Sequence, residues 1–550
     1  MTGQGSGARG HRAAGGSAER FRVLVADTIS AENLLPLSQD ERFVLEVKAK
    51  PTPAELADAL AETDAVLVRS ATKITKESLA RATRLKVIGR AGVGVDTIDV
   101  DAATEKGIAV LTAPAGNTIA AAELTLALLL AFVRRVPAAD RSMRAGEWER
   151  SKFTGSELYG KTLGLVGAGR IGGEVARRAK AFGMTIIAFD PHLSAERAED
   201  LEIGLVSLEE VLRGSDVVSL HAPMTEQTAG LIGAAQLAMM KPQAVLVNVA
   251  RGGLVDEDAL VAALKEKRIA GAAVDVYGAE PLPADHPLRK LDSVVLTPHL
   301  GASTAEAQRN VANEIAEAVR AALIEGDLSR AVNAPAIGGE EMRRIRPLLD
   351  LAERLGVLGS AISEGAVRAV EVRYAGASEQ ALRLVSAAAV AGLLREALGP
   401  KRVNLVSALH LAETRGLRVR RVRLAAQVDY SEYVELLIDG EGGMRRVAGA
   451  LLAASHPRVV RLGDYHVDVV PRRTVVVMRN RDVPGVIGRV GTVLGEAGIN
   501  IGEYHQARRD GAGGGEALAA ISLDDRLPAG VIEALRRLPD VLDVRQAHLD

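Results

Sequence analysis

Residues 162–190 read TLGLVGAGRIGGEVARRAKAFGMTIIAFD. An apolar run, TLGLVG, opens onto Gly167-Ala168-Gly169-Arg170-Ile171-Gly172, helical text follows in GGEVARRAKAF, and a second apolar run ends at Asp190. Strand, glycine turn, helix and strand in that order form the signature of a dinucleotide-binding βαβ unit. Gly167 is expected to make the tight turn, Gly169 to let backbone approach the pyrophosphate, and Gly172 to permit close packing of helix on strand. The helix N-terminus would offer donors and a partial positive charge to phosphate. Asp190 would accept from the adenosine ribose hydroxyls and repel a 2′-phosphate, which points to NAD rather than NADP.

Working outward, the runs DVVSLHAP, AVLVNVA, AGAAVDVY and SVVLTPH continue the same alternation toward the C-terminus. Upstream, FRVLVAD, DAVLVRS, LKVIGRAGVGVD and IAVLTAP alternate with helical segments such as TPAELADALAET. Strand and helix in alternation predict two doubly wound α/β domains, each a parallel sheet covered on both faces. An apolar helix near residues 120–133 joins them, and a helix over 304–326 ends in EGDLSRAVNAP, a boundary signal. Residues 335–470 begin with helical text and continue with strand-like alternation in RVRRVRLAAQVDY and VELLIDG. The arginines at 418, 420, 421 and 423 fit a solvated strand edge better than an anion site. The last eighty residues read strand, helix (486–497), strand, GAGGG turn, strand, helix (529–538), strand, a ferredoxin-like βαββαβ unit.

Composition narrows the function classes. The chain has no cysteine, so disulfides, thiolate metal sites and cysteine nucleophiles are excluded. Its 68 basic and 70 acidic residues leave a net charge of −2, which gives no general attraction to nucleic acid or membrane. The longest strongly apolar stretch, Leu124 to Val133, falls well short of the ~20 residues that span a bilayer. Residues 1–20 lack the apolar block of a secretory signal and read as a disordered extension. A cytoplasmic, multidomain protein is the expectation.

Three segments place polar side chains at the carboxyl ends of expected strands, where open α/β sheets bind ligands. VNVARGG offers Arg251, AAVDVYGAEP offers Asp275 and Glu280, and VVLTPHLGAS offers His299. Taken singly, each is as readily structural. Together they form a hydride-transfer set: a histidine to shuttle a hydroxyl proton, a carboxylate to orient the imidazole, and an arginine to hold a substrate carboxylate.

GAGRIG with Asp190, LHAPMTEQT, VNVARGGLVDE, DVYGAEPL and TPHLGAST, in this order and spacing, resemble the D-isomer-specific 2-hydroxyacid dehydrogenases. LVRSATKIT, RAGVGVDTID and KFTGSELYGKTLGLVG point within that family to the branch that oxidises 3-phospho-D-glycerate to 3-phosphooxypyruvate with NAD, opening L-serine biosynthesis. VNLVSALHLAETRGLRV and PRVVRLGDYHVDVVP resemble the intervening regulatory domain of its long form, and NRDVPGVIGRVGTVLGEAGINI resembles an ACT domain. The resemblance implies a discontinuous, flavodoxin-like substrate domain (21–119 and 304–332) and a Rossmann NAD domain (120–303), with the cleft between them. An α/β intervening domain (333–470) and an ACT domain (471–550) would follow.

It further implies that His299, Glu280 and Arg251 are catalytic and that Asp275 contacts the nicotinamide carboxamide. Gly169, Arg170 and Ile171 would contact pyrophosphate, while His221 and Pro223 would line the adenine side. Arg69, Ser70, Arg90, Gly92 and Asn117 would bind the substrate anion. Thr118 and Ala121 stand where relatives often have Ser and Val, a departure that leaves backbone contacts intact. In the ACT domain Asn480, Asp482 and Asn500 would hold an amino-acid effector, L-serine being the expected one. No metal is implied, and the partner implied is a further copy of the chain, as dimer or tetramer. Two other readings share the motifs: a D-2-hydroxyacid dehydrogenase of glyoxylate or lactate type, against which the long C-terminal region argues, and an NAD-sensing corepressor, which would lack the ACT tail.

Overall fold

Five short apolar runs make the first sheet: β1 (Phe21–Val25), β2 (Phe43–Val47), β3 (Ala65–Val68), β4 (Val87–Arg90) and β5 (Ala109–Thr112). They pair wholly in parallel in the order β2-β1-β3-β4-β5, the flavodoxin-like arrangement. Strands β3 and β5 are buried along their whole length, as parallel strands covered on both faces must be. The chain returns to this sheet much later. Val332 N donates to Val110 O, and the Asn333 side chain accepts from Val110 N and donates to Ile108 O.

Our computed structural model describes residues 20–376, 379–399, 402–425, 430, 432–453, 455–509 and 515–549. Residues 1–19 of the expected disordered extension, and 511–514 of the glycine-rich turn, lie outside the described residues. Two compact units are present: residues 20–112 with 315–549, and Ala113–Glu314. Among the described residues no helix is long and apolar enough to cross a membrane.

The second unit holds seven parallel strands: β6 (Thr162–Val166), β7 (Thr185–Phe189), β8 (Gly204–Leu205), β9 (Val217–Leu220), β10 (Val245–Asn248), β11 (Gly271–Val274) and β12 (Val294–Leu296). Their order, β8-β7-β6-β9-β10-β11-β12, reverses direction between β6 and β9, which fixes the crevice where such sheets bind ligands. The apolar helix Thr118–Val133 packs on one face through Leu126, Leu128 and Leu129.

The remaining residues of the first unit carry two more sheets. Helices Gly339–Ile362 and Glu379–Leu398 cover a mixed sheet of β13 (Val367–Ala375), β14 (Arg418–Arg423), β15 (Glu432–Gly440), β16 (Gly443–Leu452), β17 (His456–Leu462) and β18 (Tyr465–Val469). Its order is β14-β13-β15-β16-β17-β18, with only β13 and β14 parallel. The text RVRRVRLAAQVDY yields a strand over its first six residues, and 426–429 lie outside the described residues. All four of its arginines are exposed on the sheet edge.

The last sheet contains β19 (Thr474–Arg481), β20 (Ile501–Arg508), β21 (Glu516–Leu523) and β22 (Val541–His548), antiparallel in the order β20-β21-β19-β22. Helices Val486–Glu496 and Ala529–Arg536 complete the βαββαβ order, the second ending two residues earlier than its sequence suggests. They bury one face of the sheet, including Val476, Met478, Ile521 and Val544. Val475, Val477, Leu518 and Ala520 on the opposite face join the core of the preceding mixed sheet. Val470 N donating to the Glu503 carboxylate (3.1 Å) ties the two sheets together.

Candidate active site

Arg251, Glu280 and His299 follow β10, β11 and β12, three neighbouring strands whose carboxyl ends point the same way. His299 Nδ1 lies 2.7 Å from Glu280 Oε2. A carboxylate only accepts, so Nδ1 is the donor in this contact, which in the neutral ring leaves Nε2 as the acceptor. The other Glu280 oxygen accepts from Tyr277 N (3.0 Å), which fixes the carboxylate plane. His299 adopts φ +56°, left-handed backbone held by its N–H donating to Asp275 O at 2.8 Å.

Asp275 is fully buried and organises this loop. Its carboxylate accepts from Thr297 Oγ1 (2.6 Å), Leu300 N (2.7 Å) and Gly301 N (3.0 Å). Burial raises its proton affinity against the pull of these bonds. Three acceptor positions are therefore committed to the loop, and any contact with a carboxamide uses what remains. Tyr277 donates to Thr297 O (2.8 Å), and burial pushes its hydroxyl up to about 12, so it stays a donor. Arg251 is half-buried, with Nη1 donating to Ala250 O (2.7 Å) and its carbonyl accepting from Asn248 Nδ2 (2.8 Å).

Sequence reasoning missed Glu257 and His286. Glu257 Oε1 accepts from Gly278 N (2.6 Å), bracing the turn that carries Glu280, and His286 Nε2 lies 3.2 Å from Glu257 Oε2. The signal was within VNVARGGLVDE, where Glu257 opens the next helix.

The glycine loop sits at the crevice between β6 and β9. Gly167 has φ +94°, and a Cβ there would stand 2.8 Å from the His221 carbonyl oxygen. A Cβ on Gly172 would meet Gly167 O at 2.3 Å, so a side chain at either position would push the loop open. Gly169 faces open space and caps helix Arg170–Ala181 without a side-chain acceptor, leaving the first-turn N–H groups for an anion. Asp190, half-buried, accepts from Ala168 N (2.8 Å) and His192 N (2.9 Å), which pins the loop. His221 Nε2 is 2.9 Å from Ser219 Oγ, and burial lowers its ring to about 4, so it is neutral. Pro223 is exposed, and its carbonyl accepts from Thr228 Oγ1 (2.6 Å). These features fit a dinucleotide with its pyrophosphate on Gly169, Arg170 and Ile171.

In the first unit Arg69 and Ser70 follow β3, and Arg90 and Gly92 end and follow β4. Buried Asp27, another residue missed from sequence, gathers the N–H groups of Arg69, Ala71 and Thr72 at 3.1–3.2 Å. The Arg90 guanidinium folds across Gly92, where a Cβ would lie 1.4 Å from Nη1. Asn117 belongs to the other unit, with Arg251, Glu280 and His299. Its Oδ1 is buried with no partner among the described residues, ahead of helix Thr118–Val133.

The effector set is not brought together. Asn480 is fully buried at the end of β19, its amide donating to Arg481 O (2.7 Å). Asp482 pairs with Arg508 Nε (2.7 Å) and accepts from Gln506 Nε2 (3.2 Å). Asn500, exposed and donating to Asp524 (2.8 Å), stands at the opposite end of the sheet. Within one chain, pairing through β21 sets β19's end opposite Ala517 and β20's start opposite Leu523, so Asn500 lies away from Asn480 and Asp482.

Three segments of the chain match known family models. Residues 126–301 match the D-isomer specific 2-hydroxyacid dehydrogenase NAD binding domain, 344–463 the D-3-phosphoglycerate dehydrogenase intervening domain, and 474–540 the ACT domain. Relatives named D-3-phosphoglycerate dehydrogenase from Synechocystis, Archaeoglobus fulgidus and Bacillus subtilis are 42%, 41% and 39% identical. Each alignment covers 96% of this chain and 95%, 100% and 100% of theirs. Among solved structures, the TT0316 protein from Thermus thermophilus is 40% identical (TM-score 0.52, 57% of this chain, all of the other). A glyoxylate reductase from Paecilomyes thermophila is 33% identical (TM-score 0.52, 57% and 98%). The chain, an NAD-dependent oxidoreductase by these matches, belongs to the D-3-phosphoglycerate dehydrogenase family of the D-isomer-specific 2-hydroxyacid dehydrogenases.

Proposed function

We propose that the chain oxidises 3-phospho-D-glycerate to 3-phosphooxypyruvate with NAD, the entry step of L-serine biosynthesis. The observation that carries this reading is the 2.7 Å pair of His299 and Glu280, with Arg251 following a neighbouring strand of the same sheet, in a chain whose relatives bear that enzyme's name over 96% of its length. His299 Nε2 takes the C2 hydroxyl proton while the C2–H bond breaks. NAD, when bound, accepts the hydride. Glu280 stabilises the imidazolium that results, and Arg251 holds the carboxylate and polarises the forming carbonyl. Arg69, Ser70, Arg90, Gly92 and Asn117 bind the substrate's anionic groups, the two arginines countering the distal phosphate. Gly167, Gly169, Arg170, Ile171, Gly172, Asp190, His221, Pro223 and Asp275 serve the cofactor.

In this reading residues 21–119 with 304–332 handle substrate, 120–303 bind NAD, and 333–470 and 471–550 regulate. The effector is L-serine, and because Asn500 is remote from Asp482 in one chain, the site needs the edge of a second ACT domain. The enzyme is a cytoplasmic homo-oligomer, dimer or tetramer. Val136, Met143, Trp148 and Tyr159 leave an apolar surface along helix Val136–Arg144 and the segment after it, with Trp148 76% and Tyr159 79% exposed. Such a surface suits burial against another copy. The deciding experiment is NADH formation with 3-phosphoglycerate against a panel of glyoxylate-, lactate- and formate-type substrates. Equal or greater efficiency with an unphosphorylated acid would replace this reading by the glyoxylate or lactate type.

A further inference from the structure

A cavity of about 1080 Å³ opens between the starts of β4 and β5 and the helices Gly339–Ile362 and Glu379–Leu398. None of the catalytic, cofactor, substrate or effector residues named above lines it. Its volume is at the upper limit of small-molecule sites. Its floor is apolar, with Leu85, Leu349, Val403 and Leu411 buried beneath it.

The rim is cationic, and its charges are not equally spoken for. Arg84 pairs with Asp64 (3.1 Å) and Arg346 with Asp350 (3.1 Å). Lys106, half-buried on the turn before β5, gives one proton to Ala80 O (2.9 Å). Arg402, exposed on the intervening domain, has no carboxylate partner among the described residues. Burial, and then the nearby charge of Arg402, lowers the proton affinity of Lys106. The junction is held in this geometry by Asn404, whose amide donates to Gly107 O (2.8 Å) directly beside Lys106. Two like charges brought together above an apolar floor repel each other until an anion sits between them, and both retain donors for it.

We propose that this cavity binds an organic anion with an apolar body, its head group between Lys106 and Arg402 and its body on the leucine floor. A carboxylate and a phosphate ester share this chemistry. A cation of the same shape is repelled, and a bare inorganic anion forgoes the apolar contact.

Isothermal titration calorimetry of the full chain tests this with decanoate, decyl phosphate, decylammonium and inorganic phosphate. Decanoate or decyl phosphate is expected to bind once per chain, the tighter of the two identifying the head group. Decylammonium is expected not to bind, and inorganic phosphate to bind at least about tenfold more weakly, since most of the contact area is lost. Lys106→Ala and Arg402→Ala should each weaken the tighter probe about tenfold or more, as loss of a charge-assisted bond does. Lys106→Arg and Arg402→Lys should retain binding. All four substitutions fall on solvent-accessible side chains, and unchanged melting temperatures would confirm intact folding. Binding of decylammonium equal to that of the anions, affinity unaltered in both alanine variants, or no binding of any decyl probe overturns the proposal.

Discussion

Arg251, Glu280 and His299 leave three neighbouring parallel strands at the same end, and a 2.7 Å contact already joins two of them. Asn480 and Asn500 lie at opposite ends of an antiparallel sheet: Asn480 pairs with Ala517, while Ile501, the residue after Asn500, pairs with Leu523, six residues along β21 or about 20 Å at ~3.4 Å per residue. The difference follows from which end of its strand each residue occupies. Arg251, Glu280 and His299 all come after the carboxyl ends of parallel strands, so residues distant in sequence converge within one chain. Asn480 lies at the carboxyl end of β19 and Asn500 just before the amino end of β20, and the helix Val486–Glu496 between them carries the chain back along the sheet. A site using both ends needs two copies.

The sharpest way to break this comparison is to remove the base. His299→Ala is expected to lower kcat by ~10²–10⁴-fold, the usual worth of a general base, while NADH binding followed by fluorescence titration stays close to wild type. Wild-type turnover under conditions where chemistry limits the rate would remove His299 from its role. Glu280→Gln should cost less and move the pH profile, because an amide cannot stabilise imidazolium.

Next in size is cofactor choice. Asp190→Ala should reduce the preference for NAD over NADP by about ten- to a hundredfold, the worth of a hydrogen bond to a charged acceptor. The check is catalytic efficiency with each cofactor, and equal efficiencies in the wild type would exclude the role. Smaller again is Glu257→Gln, which loosens the brace on Gly278 without touching substrate. A kcat reduced about three- to tenfold is expected for one weakened hydrogen bond, together with a shifted pH profile and unaltered NADH affinity. A KM effect alone would mean that the brace does not reach Glu280. The smallest effect belongs to the ACT end. Asp482→Ala should weaken L-serine binding by calorimetry, and binding that survives unchanged would take Asp482 out of the effector site.

Much of this architecture was legible because its rules are local. The glycine spacing at 167–172, the apolar runs and the polar residues just beyond them pointed to both parallel sheets and to the strand ends that carry Arg251, Glu280 and His299. The run TVVVMRN, apolar at successive positions, is what a strand buried on both faces requires, and β19 is so buried. The mixed sheet was harder. β13 lies between two long helices and finds β14 about fifty residues later, as in Val372 opposite Arg421, a pairing that no local pattern encodes. Glu257, His286 and Asp27 escaped for another reason. They act by accepting or approaching backbone groups of loops that carry other residues, and an acidic residue opening a helix reads simply as a cap.

The last sheet is clad on both sides, by its own helices and by the core of its neighbour. Ferredoxin-like units are commonly imagined as cassettes that can be cut out and moved between proteins. Here excision would lay bare Val475, Val477, Leu518 and Ala520, a continuous apolar surface that water would drive toward self-association. The last sheet and its mount are therefore one folding unit in thermodynamic terms, and a lesion in either should be felt as a shared loss of cooperativity rather than as the quiet removal of an accessory.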